Sequence, residues 1–119
     1  MDDLLNITLE AHHAAGNHHR WYSVSVGIDL LHHWSVRIRY GRCGSRGQER
    51  HFAGSEIDLL RKVVRDHLRR RLSAPERIGC AYRIIALNME PGFDAASWFP
   101  GDLMAKFFAS YPSQGIAAQ

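Results

Sequence analysis

The sequence has few of the residues on which metal-stabilised and disulfide-stabilised small domains depend. Its 119 residues include two cysteines, Cys43 and Cys80, and no CxxC pair, which excludes a structural zinc site of the finger type. No run of 18 apolar residues occurs, so a transmembrane helix is excluded. The first residues are acidic and polar, which is not the pattern of a secretory signal. We therefore expect one cytoplasmic domain with free thiols.

Motifs of catalytic sites are also missing. The sequence contains no GxSxG, SxxK or HExxH, the patterns of common hydrolases. Three His-His pairs occur, at 12–13, 18–19 and 32–33. Adjacent residues on a strand point to opposite faces, so a pair does not chelate one metal by itself. We expect exposed loop histidines, with a structural or adventitious metal site as the alternative. Cys43 lies between Arg42 and Arg46, which would lower its pKa, but no base is evident. We expect no enzyme activity, catalytic residue, cofactor or metal ligand.

Positive charge is concentrated in the middle of the chain. Residues 1–19 carry −3, residues 20–87 carry +8 and residues 88–119 carry −2, for a net charge of +3. Thirteen of the fifteen basic residues are arginine, whose planar guanidinium suits bidentate contacts with phosphate or carboxylate. The distribution favours an anionic partner, although a merely solvated basic surface would have the same composition.

Alternating apolar residues predict a β-sheet. The predicted strands are residues 4–10, 21–28, 34–40, 48–52 and 80–87. Residues 11–19 are predicted to be a polar connector, and residues 41–47 a glycine-rich turn. In the third strand, Ser35, Arg37 and Arg39 alternate with apolar residues and would face solvent or a partner.

One helix is predicted after the fourth strand. Apolar residues at helical spacing follow Ser55 and stop at Pro75. Secondary candidates for phosphate contacts on the helix are Arg61, Lys62, Arg65 and Arg69. The elements together predict an α+β fold: a single antiparallel β-sheet of about five strands with one main α-helix packed on it, plus a short C-terminal helical extension.

Residues 88–119 differ from the rest in composition. Six of the twelve aromatic residues lie in residues 93–111. After a turn at residues 100–102, apolar residues fall on one helical face that must be buried. This segment either packs on the same core or forms a dimer interface. The interface candidates are Trp98, Phe107, Phe108 and Tyr111.

An ordered set of motifs resembles the WGR domain. The residues that carry the resemblance are, in chain order, Asn17-His18-His19-Arg20-Trp21-Tyr22, residues 34–48, Phe52, a basic helix and Ala81-Tyr82. The family is named for Trp-Gly-Arg, and the string here is Tyr40-Gly41-Arg42. Two further departures are His32-His33 in place of a glycine-rich turn and Ala81 in place of glycine. The resemblance spans about residues 4–87, so we expect a WGR-like domain over residues 1–87 and an extension over residues 88–119.

The resemblance implies a non-catalytic module that binds nucleic acid, with DNA ends as the ligand. In poly(ADP-ribose) polymerases that respond to DNA damage, the family's domain lies at a DNA break. There the tryptophan of the motif packs on the sugar at a strand end, and basic residues hold phosphates. A tyrosine at position 40 can still stack on a sugar or base, but it also alternates in phase with Trp34 and Ile38, as a packed residue would. The expected nucleic-acid-binding residues are Arg37, Arg39, Tyr40, Gly41, Arg42, Arg46 and Arg50.

The alternative function is a protein-interaction module. It would self-associate through the aromatic C-terminal segment as a homodimer and would not bind DNA. The expected partners are therefore DNA or a protein, including a second copy of the chain, and not a membrane.

Overall fold

Strands that are consecutive in the chain pair with each other, except the last, which pairs with the first. The computed structural model describes residues 3–13, 18–72, 82–99 and 101. The strands are β1 (Asp3–His13), β2 (His18–Ile28), β3 (Trp34–Arg42), β4 (Gln48–Gly54) and β5 (Arg83–Met89). They form one antiparallel sheet in the order β4-β3-β2-β1-β5. Helix α1 (Ile57–Leu72) follows β4, and a 3-10 turn spans Ala95–Ser97. The predicted α+β fold is confirmed.

The alternation of apolar residues places the core on one face of the sheet. The buried strand residues on this core face include Leu5, Ile7, Leu9, Tyr22, Val24, Val26, Val36, Ile38 and Ile84. Helix α1 covers them with the buried side chains of Leu60, Val64 and Leu68. Each such aliphatic side chain stabilises the fold by roughly 1.5–3 kcal/mol on full burial. Among the described residues, no helix is long and apolar enough to cross a membrane.

The opposite face of the sheet, which we call the polar face, carries mainly polar side chains. They interact in pairs, both between adjacent strands and across an intervening strand. The Asn6 Nδ2 donates a hydrogen bond to the Ser25 hydroxyl at 2.7 Å, and Arg37 approaches Asp3 at 3.3 Å. Ser35, which was expected to face solvent or a partner, is instead buried and lies 2.8 Å from the His51 ring nitrogen.

The hairpin between β1 and β2 is longer than the sequence predicts. Residues 11–19 were expected to form a polar connector, but 11–13 and 18–19 continue the two strands. The pairs His12↔His19 and His13↔His18 extend the ladder. Strand pairing depends on backbone hydrogen bonds, so it continues here even though the side chains are polar on both faces.

A side-chain cap holds the turn between β2 and β3. The Asp29 carboxylate accepts hydrogen bonds from the backbone N–H groups of Leu31 and His33, each at 2.9 Å. These bonds lower the pKa of Asp29, with the His33 N–H as the main cause. His32 takes a positive φ of 62°, so a histidine here adopts a backbone conformation that usually favours glycine.

Two element boundaries differ from the sequence prediction. Helix α1 begins at Ile57 rather than at Ser55, and the Leu60 N–H donates to the Glu56 carbonyl. Strand β5 runs over Arg83–Met89 rather than residues 80–87, and residues 80–81 lie outside the described part of the chain.

The first part of the aromatic C-terminal segment packs in the core. Trp98 is 1% exposed, and its ring centroid lies 5.5 Å from that of Trp34 and 6.0 Å from that of Phe93. Arg65 donates a hydrogen bond from α1 to the Ser97 carbonyl at 2.9 Å. The helix expected after residue 102 and its interface candidates Phe107, Phe108 and Tyr111 lie outside the described residues.

Candidate functional site

The Tyr40-Gly41-Arg42 string forms the end of β3. Because side chains alternate along a strand, Tyr40 and Arg42 lie on the core face and Gly41 on the polar face. Gly41 pairs with Trp21, and a Cβ at Gly41 would lie 2.7 Å from the Gly47 Cα. Only glycine therefore fits at the centre of this string.

Three tyrosines cluster beside the string on the core face. Tyr40 pairs with Tyr22 across the strands, and their rings stack with centroids 6.4 Å apart and an interplanar angle of 27°. Tyr82 meets Tyr22 edge-on at 6.5 Å. Tyr40 is half-buried, and its hydroxyl donates to Gln48 Oε1 at 3.0 Å. Tyr40 thus packs against the core with part of its ring and leaves the rest accessible.

The last turn of α1 brings arginine onto these rings. The Arg71 Cζ lies 4.1 Å from the Tyr22 ring centroid and 5.8 Å from that of Tyr82, which is cation–π geometry. Burial raises the pKa of Tyr22 to about 12, and the positive charge of Arg71 opposes this rise. Tyr22 therefore stays neutral at physiological pH.

The tyrosines and arginines enclose two adjoining hollows, which we call together the tyrosine–arginine cleft. The hollows have volumes of about 360 and 400 Å³ and share the walls formed by Tyr22, Tyr40, Arg70 and Arg71. The other lining residues are Arg20, Trp21, Gly41, Arg42, Arg50, His67 and Tyr82. Five arginines from four elements of the fold thus surround the cleft. The lining in the described part of the chain includes no aspartate or glutamate.

The motif string, its tyrosines and its position at the end of β3 agree with a comparison against protein families. Residues 5–59 match the model of the WGR domain. The chain contains a WGR domain. No curated protein matches the chain. WGR domains are known for binding nucleic acid.

The family match covers part of the cleft. It spans β1 to β4 and the first residues of α1, and so includes Tyr22, Tyr40 and Arg42. Arg70, Arg71 and Tyr82 lie beyond the matched range but belong to the same cleft. The WGR domain and the segments that follow it therefore build this cleft jointly.

Not all of the expected binding residues lie at the cleft. Tyr40, Gly41, Arg42 and Arg50 line it. Arg37 and Arg39 lie on the polar face, where Arg39 approaches Glu49 at 3.6 Å and lies 5.8 Å from the Trp21 ring centroid. Arg46 is exposed in the loop between β3 and β4.

The secondary candidates on α1 interact within their own neighbourhood. Arg61 contacts Asp58 at 3.2 Å, and Lys62 and Arg69 contact Asp66 at 2.6 and 3.1 Å. Hydrogen bonding from Lys62 is the main cause that lowers the pKa of Asp66. These pairs are exposed and contribute little to stability.

Arg70 and Arg71 line the cleft but were not among the residues expected to bind. A signal was present, since Arg71 lies three and seven positions after the buried residues Leu68 and Val64 and so on the core-facing side of α1. An arginine at the end of an apolar stripe is a candidate for an aromatic or anionic partner.

The environment of Cys43 differs from the sequence expectation. Nearby arginines were expected to lower its pKa. Instead, burial raises the pKa of the Cys43 thiol, and the negative charge of Glu10 adds to the rise. The charge that shifts the pKa of Cys43 is therefore that of Glu10 on the polar face, and not that of Arg42.

Proposed function

We propose that this WGR domain binds nucleic acid without catalysis, that the tyrosine–arginine cleft is its binding site, and that DNA ends are the ligand. The observation that carries the proposal is the convergence of five arginines from β2, β3, β4 and α1 on three clustered tyrosines. Such an arrangement offers charge for phosphates and ring faces for a sugar or base in one place.

The arginines provide the affinity. A guanidinium binds phosphate oxygens bidentately and keeps its charge at any physiological pH. Arg42 lines the hollow on the motif side, Arg50 lines the adjoining hollow, and Arg70 lines both. The described lining contributes five arginines and no carboxylate, which favours a positive potential in the cleft.

The tyrosines provide the preference for ends. An aromatic ring can stack only on a nucleotide whose face is accessible, and the interior of an intact duplex offers none. The half-buried ring of Tyr40 is held by Tyr22 and Gln48, so it is pre-oriented for such a contact. A terminal or unpaired nucleotide supplies the required face.

The composition of the cleft also supports a binding role. Among its described lining residues there is no serine, cysteine or carboxylate, the usual nucleophiles and bases. His67 is present, but its Nδ1 lies 2.8 Å from the Val63 carbonyl within α1.

Removing cleft arginines should weaken binding and reduce its salt dependence. For wild type and a fluorescent blunt-ended duplex, we expect a log–log salt slope on the order of −3 to −5, as for four or five phosphate contacts. In Arg42→Ala and Arg70→Ala the slope should fall in magnitude by about 1 each, because each variant loses one phosphate contact. Fluorescence anisotropy across a salt series measures both the slope and the affinity.

A neighbour of the same charge provides the control for this experiment. Arg69→Ala removes the same charge from the same turn of α1, but Arg69 contacts Asp66 rather than the cleft, so its slope should stay close to that of wild type. Closed-circular DNA should compete poorly with the blunt duplex. If Arg69→Ala and Arg70→Ala lose the same affinity, the cleft is not the binding site. If closed-circular DNA competes as well as the blunt duplex does, the protein has no preference for ends.

The ring of Tyr40, and not its hydroxyl, should matter for binding. Tyr40→Ala removes the stacking surface and should weaken binding on the order of tenfold, since a stacked base contributes about 1–3 kcal/mol. Tyr40→Phe loses only the hydrogen bond to Gln48 and should bind within about twofold of wild type. The same anisotropy titration compares them, and a similar loss in both variants would rule out stacking.

A further inference from the structure

The hairpin end of β1 and β2 gathers metal-ligating side chains on the polar face, opposite the cleft. Glu10 and His12 are two residues apart on β1 and so share a face. His19 pairs with His12 across the strands. The Cys43 N–H donates to the His19 carbonyl at 2.7 Å, which holds the residue after β3 against the hairpin.

The ligating atoms of three of these residues lie close together. One carboxylate oxygen of Glu10, one ring nitrogen of His12 and the Sγ of Cys43 are all within 4.8 Å of one another. The His12 Nε2 lies 2.8 Å from Glu10 Oε1. Glu10 and Cys43 are half-buried and His12 is exposed, so an ion could reach the site from solvent.

We propose that Glu10, His12 and Cys43 bind a divalent transition-metal ion of the zinc type. Thiolate, imidazole and carboxylate are the donors that Zn²⁺ takes, at about 2.3 Å for sulfur and about 2.0–2.2 Å for nitrogen and oxygen. Around a tetrahedral ion these bond lengths separate the donor atoms by roughly 3.3–3.7 Å. The Glu10 and His12 atoms are 2.8 Å apart and all three atoms lie within 4.8 Å of one another, so small side-chain rotations bring them into that range.

His19 supports the site without binding the ion itself. Its Nδ1 lies 2.9 Å from the Nδ1 of His12, so one of the two nitrogens carries the proton that they share. With the proton on His12, its Nδ1 donates to His19, and the unprotonated Nε2 binds an ion that replaces its direct contact with Glu10. Metal-bound histidines commonly donate their second N–H to such a partner, which fixes the ring. His19 is therefore a positioning residue.

The His-His pairs do not by themselves predict this arrangement. Adjacent histidines indeed point to opposite faces, but the hairpin pairs one histidine of each strand on the same face. The metal site is independent of the cleft, because its residues lie on the other face of the sheet. Failure of one proposal therefore does not imply failure of the other.

Cobalt binding tests the site directly. The untagged full chain, freed of metal by a chelator, would be titrated with Co²⁺ and then with Zn²⁺. We expect one Co²⁺ per chain, a thiolate-to-cobalt charge-transfer band in the near ultraviolet, and displacement of Co²⁺ by Zn²⁺. Cys43→Ser should abolish the band, and His12→Gln and Glu10→Gln should each weaken binding at least tenfold. His19→Gln should weaken it about 10–100-fold while the band is retained at saturation.

Matched variants separate this site from other thiols and histidines of the chain. Cys80→Ser removes the other cysteine, and His33→Gln removes a histidine of the β2–β3 turn. Both should bind Co²⁺ as wild type does. The proposal is overturned if the chain takes up no stoichiometric Co²⁺ at micromolar concentration. It is equally overturned if the band persists in Cys43→Ser or disappears in Cys80→Ser. Circular dichroism of each variant verifies that the fold is retained.

Discussion

Gly47→Ala is expected to destabilise the protein by about 3 kcal/mol or more. Gly47 has a φ of +75°, and a Cβ there would lie 2.3 Å from the Tyr40 carbonyl oxygen and 2.6 Å from the Trp21 Cζ2. The left-handed backbone costs an L-residue roughly 1–2 kcal/mol, and overpacking costs typically 1–3 kcal/mol more. The urea midpoint at constant m-value measures the loss.

Gly44→Ala is the control for this prediction. Gly44 lies in the same loop with a φ of +88°, but a Cβ there would meet no atom within 4 Å. Only the backbone cost of roughly 1–2 kcal/mol should therefore appear. A Gly47→Ala protein as stable as Gly44→Ala would show that the loop moves away from Tyr40 and Trp21 at no cost.

Trp98→Ala is expected to cost about 3–5 kcal/mol, the range for removing a large aromatic side chain from a core. Trp98 is almost fully buried between Trp34 and Phe93, and the Arg61 Cζ lies 5.7 Å from its ring centroid. Thermal or urea unfolding measures the loss. Trp98→Phe keeps a ring in the same place and should cost clearly less.

The stability of the Trp98→Ala variant also tests where the folded unit ends. From the sequence, the WGR-like domain was expected to end at residue 87, with an extension after it. We propose that the unit runs at least to Phe99, because Ala95, Trp98 and Phe99 are buried in the same core as the sheet. If Trp98→Ala unfolds at the same urea concentration as wild type, the segment after β5 is not part of that unit.

Which strand residues face the core could be predicted from the sequence, because burial along a strand follows a period of two. Val24 and Val26 on β2 and Val36 and Ile38 on β3 are buried as their alternation predicts. Alternation fails where both faces are polar, as at His12 and His19, where only backbone pairing continues the strands. It also fails for Ser35, whose burial depends on His51 from the next strand.

The cleft was predictable only in part. The resemblance to WGR domains identified Tyr40, Gly41 and Arg42, because these residues are adjacent in the chain. The contact between Arg71 and Tyr22 joins residues 49 positions apart, and it depends on where the end of α1 crosses the sheet. A sequence pattern contains no information on that crossing. Arg37 and Arg39 were grouped with Tyr40 on the resemblance, although the alternation along β3 already predicts that they lie on the other face.

The strand order has a consequence for solubility. In an open five-stranded sheet the outermost strands present unpaired backbone groups, and another chain could add a strand there. Strand β4 carries consecutive charged or polar side chains, Gln48-Glu49-Arg50-His51, all of them exposed. Strand β5 is interrupted by a register shift opposite Thr8 and Leu9, which leaves Ile85 without a partner in the ladder. Charge on one edge and a bulge on the other disfavour edge-to-edge aggregation, so the same arginine that lines the cleft, Arg50, also protects the sheet.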